Sequence, residues 1–367
     1  MKSLQSFFFL FLFLVCFSCR PAEEESALFG EAGLNASGSA LTLSELLGDR
    51  VKITPLETTQ ESLIGKINKI KSFRGEYFVL TQDRWILRFD STGNYLSSLR
   101  KSGGGPDEYS TISDFDVYTH QNRIEVWICD AKAIKIYDPE DFSLIRSVKF
   151  PFVVHKFLRI DENRILLLTG QNNQSLTLCD REGRVIKRFL DREIPFLMFK
   201  YVQFIPVDLG VSFQLGVSNA VILYDPLTDS FRKRSLVKNG SLLSDRDLLD
   251  LFRQYSTDFP REFNRYSYIK NFRKLGSKVF MDVSSGGERY FTVFDGHSEK
   301  TVHYFPSPES LSNDLFGTED FEFLTTFGIG DSDHSIILYA MPSAFTEGRA
   351  GLKTLKREDN PVLIEFF

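Results

Sequence analysis

A turn with the same chemistry recurs four times along the middle of the chain and constrains the fold more than any other feature. Each copy is an apolar, strand-like run that ends in Asp and is followed by a tight turn and a second strand-like run. The four aspartates are Asp90 in RFDSTGNY, Asp138 in IYDPEDF, Asp180 in LCDREGRV and Asp225 in LYDPLTDSF. Asp at the start of a turn accepts hydrogen bonds from backbone amides two residues on, so its recurrence has a mechanical cause.

The unit around each turn predicts four short strands. The clearest copy spans residues 112–150 as ISDFDVY, NRIEVWICD, AIKIYDPEDF and SLIRSVKF, pieces rich in β-branched and aromatic residues and separated by Asn, Asp and Pro. Where nothing is inserted, copies follow one another every 40 to 50 residues or so, at about the period of four-stranded propeller blades. Counting the weaker C-terminal copies gives six. The sequence therefore predicts an all-β fold, a six-bladed β-propeller with four-stranded antiparallel blades. Two β-sandwich domains are the alternative, which explains the strands but not the repeated turns.

The two ends of the propeller segment predict how the ring closes. The last copy ends in NPVLIEFF and lacks an outer strand, whereas RVKITPLE at residues 50–57 is a strand-like run without a copy of its own. An open ring would expose blade edges that other chains can pair with. We therefore expect the N-terminal strand to complete the sixth blade.

Residues 239–267 interrupt the period between blades 4 and 5. Leucine and aromatic residues recur there at roughly helical spacing, after Ser244 and Asp245, which are both candidate N-caps. The segment predicts a helical insert on an open face or the rim of the ring.

The N-terminus has the layout of an export signal. Lys2 precedes the apolar run FFFLFLFLVCF at residues 7–17, which is about half the length that a membrane-spanning helix needs. The sequence CFSC resembles a bacterial lipobox in which Cys19 carries the lipid, with an ordinary signal peptide cleaved nearby as the alternative. We predict a lipoprotein signal peptide over 1–18, a flexible tether over 19–48 and the propeller over 49–367. The localisation expected is the outer membrane, facing the periplasm or the cell surface.

Charge and cysteine content narrow the functional classes. The net charge is −5 and no basic block stands out, so nucleic acid is not expected as a partner. Cys129 and Cys179 lie inside apolar strand-like runs, which favours buried free thiols, although a disulfide between them stays open. The cysteine spacing matches no zinc site.

The segment GGGPDEY, residues 103–109, has the glycine content of a phosphate-binding loop. Such loops precede a helix, whereas the strand-like STISDFDVY follows here, so we expect a corner between blades and no bound anion. We predict positive φ at one or more of the three glycines, a bend fixed by proline, and pinning by Glu and Tyr. The residues of this structural turn are Gly103, Gly105, Pro106, Glu108 and Tyr109.

Candidate catalytic residues are scattered. The five histidines, His120, His155, His297, His303 and His334, form no close metal pair. A divalent metal held on the central axis by several blades leaves no local motif, so it stays open although no cofactor is predicted. Asp114 and Asp116 flank Phe115 on a predicted inner strand, so both are able to face the same side as a carboxylate pair.

Arginines and aromatics concentrate in TDFPREFNRYSYIKNFRK, residues 257–274. Such residues suit recognition of sugars, peptides or carboxylates by stacking and forked hydrogen bonds. The candidate ligand-binding residues are Arg261, Arg265, Tyr266 and Tyr268. The alternative is that the aromatics seal the insert onto the ring while the arginines stay solvated.

Three segments carry a family resemblance: VKITPLETTQESLIGKI near the start, GGGPDEY, and DNPVLIEFF at the end. With them the chain resembles the six-bladed β-propeller lipoproteins of Bacteroides and relatives, which are similar to NHL-type propellers; Asp107 stands where Gly is more usual. The resemblance implies a lipid-anchored binding or interaction module of the cell envelope, with an envelope protein, a glycan or a peptide as partner. The alternative it leaves is a propeller hydrolase or lyase on glycans or peptides with a metal at the channel.

Overall fold

Six small antiparallel sheets form a ring, so the predicted six-bladed β-propeller is confirmed. The computed structural model describes residues 27–34, 40–169, 174–191, 199–255, 257–296, 298–303, 309–316, 320–345 and 355–367. The predicted signal peptide and Cys19 lie outside these ranges, as does His297.

The ring is built from short strands. In chain order they are β1 (Leu41–Thr42), β2 (Val51–Pro55), β3 (Ile67–Phe73), β4 (Glu76–Thr81), β5 (Ile86–Phe89), β6 (Tyr95–Leu99), β7 (Asp114–His120), β8 (Arg123–Asp130), β9 (Ala133–Tyr137), β10 (Leu144–Lys149), β11 (Lys156–Arg159), β12 (Arg164–Leu168), β13 (Gln174–Asp180), β14 (Val185–Asp191), β15 (Ile205–Val207), β16 (Gly210–Phe213), β17 (Ala220–Asp225), β18 (Ser230–Ser235), β19 (Tyr268–Leu275), β20 (Lys278–Ser285), β21 (Glu288–Phe294), β22 (Glu299–His303), β23 (Leu311–Ser312), β24 (Gly330–Asp331), β25 (Ile336–Ala340) and β26 (Val362–Phe366). Strands β3–β6, β7–β10, β11–β14, β15–β18 and β19–β22 form blades 1 to 5, each in sequence order from the channel outwards.

Blade 6 joins the two ends of the propeller segment. Strand β26 pairs antiparallel with β25 on one side and with β2 on the other, where Val51 lies opposite Phe366 and Pro55 opposite Val362. The predicted closure by the N-terminal strand is therefore confirmed. The short inner strand β24 pairs in parallel with β3, the inner strand of blade 1, which connects the last blade to the first.

A single buried asparagine seals this closure. The Asn360 side chain is 1% exposed; its Oδ1 accepts from Ile64 N at 2.8 Å, and its Nδ2 donates to the carbonyls of Glu57 at 2.7 Å and Ser62 at 2.8 Å. Its backbone N–H donates to Thr58 Oγ1 at 2.7 Å. The Asn360 amide, with both its oxygen and its nitrogen hydrogen-bonded, thus holds the segment after β2 to the segment before β26. We call this set of contacts the closing joint.

The four repeated aspartates make the hydrogen bonds that their position predicts. In each, Oδ1 accepts from the backbone N–H two residues on, at 2.8 Å for Asp90, 2.9 Å for Asp138, 3.0 Å for Asp180 and 2.8 Å for Asp225. All four turns join the third strand of a blade to the fourth. They therefore lie on the face where the inner strands end, opposite the face where the inner strands begin.

The blades pack through apolar side chains. Between blades 1 and 2 lie Phe78, Phe115 and Tyr137, which are all fully buried. Between blades 2 and 3 the rings of Trp127 and Phe157 stack with centroids 6.1 Å apart. Cys129 and Cys179 are both buried and free, as the apolar runs around them favour.

The predicted insert is helical. Helix α2 (Asp245–Gln254) begins after Ser244, whose Oγ accepts from Asp247 N in a capping box, and helix α3 (Phe259–Phe263) follows. Leu248 and Leu251 are buried against the ring. Because the insert joins β18 to β19, it lies towards the face where the inner strands begin. Two short 3-10 helices, Glu322–Thr326 and Pro342–Ala344, belong to blade 6.

The expectation of a flexible tether over 19–48 is wrong for its described part. Residues 27–34 run along blade 4, where Leu28 N and Phe29 N donate to the carbonyls of Ser235 and Leu236 at 2.9 Å. Helix α1 (Leu43–Leu47) buries Leu43, Leu46 and Leu47 in the core. The sequence around these leucines is mostly polar and does not reveal that the segment packs against the ring, because the apolar residues that the leucines contact come together only in the folded protein.

The glycines of GGGPDEY do not serve the predicted purpose. None of the three has positive φ, so that expectation is wrong. A Cβ on Gly103 would lie 2.0 Å from Glu108 Oε2, and Gly105 N donates to that same oxygen at 2.7 Å. The glycines instead leave room for the Glu108 carboxylate. Tyr109 is fully buried and donates from its hydroxyl to the Arg84 carbonyl at 2.6 Å.

Within the described ranges, the structure has no helix of the length and apolar character that crossing a membrane requires.

Candidate functional site

The predicted ligand residues of the insert do not converge. Tyr268 is 4% exposed and stacks on Phe263, with ring centroids 4.3 Å apart, so it seals the insert onto the ring. Arg265 donates to Glu262 at 2.9 Å with its side chain 62% exposed, and Arg261 and Tyr266 are exposed. These positions fit the alternative in which the arginines stay solvated. Ligand binding by them stays a prediction.

Asp114 and Asp116 do face the same side, as their spacing on one strand predicts. Both point from β7 into the central channel, where each is bound by lysines. Asp114 Oδ1 lies 2.9 Å from Lys69 Nζ and 3.7 Å from Lys156 Nζ, and all three side chains are less than 8% exposed. The carboxylates are therefore counter-ions of channel lysines, a role that the sequence did not show.

The inner part of the channel is an electrically balanced chain of ion pairs. Lys71 Nζ lies 3.1 Å from Asp116 and 2.9 Å from Asp331, and Arg273 Nη2 lies 3.3 Å from Asp331. The two cations hold the pKa of the buried Asp331 below its usual range, against the effect of burial, and Asp116 and Asp331 raise the pKa of Lys71 in the same way. Strands β3, β7, β19 and β24 supply these groups, so this network ties blades 1, 2, 5 and 6 together.

The mouth of the channel is different. A cavity of about 380 Å³ opens where the inner strands of blades 1, 2 and 3 begin, and we call it the channel-mouth cavity. Its polar lining consists of Asn68, Lys69, Ser113, Asp114, His155, Lys156, Lys200 and Tyr201. Three lysines and one carboxylate residue, Asp114, thus line the cavity.

Lys200 reaches this cavity from the segment before blade 4. Its Nζ donates to Gln214 Oε1, and its backbone N–H donates to Gln203 Oε1 at 2.9 Å. Gln203 in turn donates to the Gln214 carbonyl at 2.8 Å, which fixes the two amides. The neutral amide oxygens of Gln203 and Gln214 thus hold Lys200 in place. The carboxyl group that acts to raise the pKa of Lys200 is that of Asp282, which is itself bound to Arg289 at 2.7 Å.

Burial dominates the electrostatics of the mouth. It lowers the pKa of Lys200 to about 7, and it lowers the pKa of Lys156 although Asp114 acts in the opposite direction. Burial and the charge of Lys156 also lower the pKa of His155. Burial acts to lower the pKa of Lys69 as well, but the charges of Asp114, Asp116 and Asp331 together outweigh it and raise that pKa. Burial thus disfavours the charged forms of Lys156, Lys200 and His155, and an anion in the cavity would favour them.

The three other histidines that the structure describes lie apart from one another. His120 sits at a turn of blade 2, His303 on the outer strand of blade 5 and His334 before β25. In the parts of the chain that the structure covers, no three His, Cys, Asp or Glu side chains are grouped so as to hold a metal ion.

Sequence reasoning missed the lysines. Lys69, Lys156 and Lys200 are far apart in sequence, and each looks like an ordinary polar residue beside an apolar run. One signal was available, because Lys69 and Lys156 stand near the start of predicted inner strands, as Asp114 does. In a propeller these positions meet at one mouth of the channel.

Comparison with known proteins places the chain in a family. No curated protein matches it. A Bacteroides fragilis protein described as exported superposes with a TM-score of 0.72 at 15% identity, over 92% of this chain and 98% of that chain. A DUF4221 family member from Bacteroides vulgatus gives a TM-score of 0.50 at 10% identity, over 88% and 97%. At such identities the likeness shows the fold alone. Residues 31–366 match the domain of unknown function DUF4934, and the protein therefore belongs to the DUF4934 family.

Proposed function

We propose that this protein is an exported binding module that takes a small anionic ligand, a carboxylate or a phosphate, in its channel-mouth cavity. The observation that carries the proposal is the charge imbalance of that cavity, which is lined by Lys69, Lys156 and Lys200 but by only one carboxylate residue, Asp114, which is paired with Lys69 and Lys156. A cavity with a few convergent polar groups and perturbed pKa values is the usual form of a small-ligand site.

The shape of the site supports a ligand of modest size. The cavity volume of about 380 Å³ falls near the lower end of small-molecule pockets, roughly 300–1,000 Å³. Phe199 and Leu80 add apolar surface, and the Phe199 ring lies 4.5 Å from the His155 ring. A ligand with one anionic end and an apolar body matches this lining. The balanced inner network below it offers no further free charge of either sign.

Titration calorimetry with a panel of small carboxylates and phosphates at pH 6.5 tests the proposal. We expect the wild type to bind at least one of them, and Lys156→Gln and Lys200→Met each to weaken that binding by tenfold or more. Lys132→Gln is the matched control, because Lys132 is exposed on the β8–β9 turn and does not line the cavity, and it should bind as the wild type does.

A third variant separates this site from the insert. Arg265→Ala combined with Tyr266→Ala removes two exposed side chains, so its melting temperature should stay within a few degrees and its ligand affinity should be unchanged. Loss of binding in that double variant, with retention in Lys156→Gln and Lys200→Met, would move the site to the insert and refute the channel-mouth cavity.

We further infer that the protein is a lipoprotein of the outer membrane, anchored through Cys19 and facing the periplasm or the cell surface. The apolar run before Ser18 and Cys19 supports this, as do the resemblance to Bacteroides propeller lipoproteins of NHL-like type and the exported structural relative. If Cys19 carries the lipid, the eight residues from there to the docked residue 27 span no more than about 30 Å. The ring would then lie close to the membrane surface.

Fractionation tests the anchor. Cys19→Ala should release the protein from the membrane fraction and abolish labelling with a fatty-acid analogue, whereas Cys16→Ala, three residues earlier, should leave both unchanged. Continued labelling of Cys19→Ala would show that the anchor is assigned to the wrong residue.

A further inference from the structure

A second cavity lies on the opposite face of the ring, between blades 2 and 3. It measures about 460 Å³ and sits where the inner strands end, whereas the channel-mouth cavity sits where they begin. Its lining includes Arg123, Arg146, Arg159, Arg181, Trp127 and Glu162, and we call it the arginine cleft. The four guanidinium groups come from both blades, so the cleft exists only where the two blades meet.

One of these arginines is fully occupied by the protein. Arg159 forms an ion pair with Glu162, donates to the Thr119 carbonyl at 2.8 Å, and lies over the Trp127 ring at 5.6 Å from its centroid. Its side chain is only 8% exposed. Arg159 therefore forms part of the wall and has little capacity left for a ligand.

A neutral histidine orients the second arginine. His120 Nδ1 lies 2.5 Å from Glu162 Oε2, and His120 Nε2 lies 3.2 Å from Arg181 Nη2. A guanidinium only donates, so Nε2 must accept, and the ring proton then sits on Nδ1, where it is donated to Glu162. This bridge positions Arg181 without neutralising its charge.

Arg146 is the third arginine of the cleft that bears on ligand binding. It lies on β10, half-buried, and has no side-chain hydrogen bond or ion pair among the residues that the structure describes. Burial and the nearby charge of Arg181 lower the pKa of Arg146. Two carboxylates oppose this: Glu125, which lines the cleft and accepts from Trp127 Nε1 at 2.8 Å, and Glu182, which is paired with Arg184 at 3.3 Å.

We propose that the arginine cleft is a second ligand site, which binds a small acid through a carboxylate or a sulfate held between Arg146 and Arg181. Two like charges in one half-buried cleft repel each other, and a shared anion turns that repulsion into two charge-assisted hydrogen bonds. The planar guanidinium fork matches the paired oxygens of these anions. Ile145, which is 48% exposed, provides an apolar wall for the body of the ligand. The proposal does not depend on the channel-mouth cavity.

Titration calorimetry in a low-salt chloride buffer tests it, with sodium sulfate, glucuronate and the neutral sugar glucose as probes. We expect the wild type to bind glucuronate or sulfate and to ignore glucose. Arg146→Gln and Arg181→Gln should each weaken binding by tenfold or more. Arg146→Lys keeps the charge but loses the fork, so it should bind with intermediate affinity.

Two controls make the result specific. Arg188→Gln changes an exposed arginine on β14, in the same blade as Arg181 but outside the lining of the cleft, and it should bind as the wild type does. Lys156→Gln should likewise leave this binding unchanged, which separates the cleft from the channel mouth. Thermal unfolding of each variant without ligand checks that it is folded. Failure of the wild type to bind either anion, or wild-type affinity in both Arg146→Gln and Arg181→Gln, would overturn the proposal.

Discussion

The closing joint and the channel mouth both bury polar groups near an end of the ring, but they use them in opposite ways. At the closing joint, Asn360 is 1% exposed, and its side-chain oxygen and nitrogen both bond backbone groups. At the channel mouth, Lys69, Lys156 and Lys200 line one cavity with a single carboxylate residue, Asp114. Polar burial with every bond made stabilises a fold, whereas buried charge left in excess costs stability and marks a site that a ligand completes.

The largest expected effect is the loss of the closing joint. Asn360→Leu removes the side-chain partners of Ile64, Glu57 and Ser62, and each buried backbone group left unpaired costs about 1–3 kcal/mol. We expect the free energy of unfolding to fall by about 4 kcal/mol, measured by urea denaturation. Asn94→Ala is the matched control, because Asn94 bonds Asp90 on the surface, and it should cost less than about 1 kcal/mol. Equal losses in the two variants would remove the special role of Asn360.

The second expected effect is a smaller loss of folding stability, part of which added anions should reverse. Asp114→Asn takes the counter-charge from Lys69 and Lys156, and leaving a buried charge unpaired is destabilising. Since the amide oxygen still accepts a hydrogen bond, we expect a loss of about 2–3 kcal/mol. Added phosphate should restore part of that loss in Asp114→Asn and none in Asn360→Leu. Absence of any difference between the two variants in phosphate would show that the mouth holds no excess charge.

The third prediction concerns pH. The pKa of Lys200 is about 7 in the folded protein and near the ordinary lysine value of about 10.4 when unfolded. Between these values the unfolded chain binds more protons, so the contribution of Lys200 makes the free energy of unfolding rise with pH. Between pH 7 and pH 9 we expect this rise to be roughly 1–2 kcal/mol larger in the wild type than in Lys200→Met, measured by denaturation at both values. The same titration should weaken anion binding as the pH rises through 7. Identical pH dependence in the two proteins would contradict the assignment.

The smallest expected effect lies at the turn between blades 1 and 2. There the Glu108 carboxylate accepts a backbone hydrogen bond, as the Asn360 side chain does at the closing joint. Gly103→Ala would place its Cβ 2.0 Å from Glu108 Oε2 and should cost about 1 kcal/mol, because the carboxylate must move. Gly104→Ala meets nothing within 4 Å and should be neutral. Thermal unfolding compares the two, and equal melting temperatures would show that Glu108 moves without cost.

Most of the architecture was predictable because its causes are local or periodic. The turn at Asp90 is specified by a carboxylate and amides within four residues, and its copies reveal the blade period. The closing strand was inferred from a missing partner at one end and a spare strand at the other, since an open ring leaves unpaired edges. Ser244 caps the insert helix through contacts within three residues.

The candidate sites were not predictable, because nothing local distinguishes their residues. Lys200, Asp114, Lys69 and Lys156 come to line one cavity only at the channel mouth, and Arg146 and Arg181 come to line one cleft only where blades 2 and 3 join. The purpose of Gly103 also depends on where the Glu108 carboxylate turns, which the backbone pattern does not reveal.

The sequence by itself determined the number of blades, the turn chemistry and the closure of the ring, since these depend on strand periodicity and on bonds between near neighbours. The tertiary structure alone decided which charges are balanced and which are left in excess. Whether a lysine is a solvated surface group or part of an anion site depends on its burial and on carboxylates from other blades, and only the closed ring sets both.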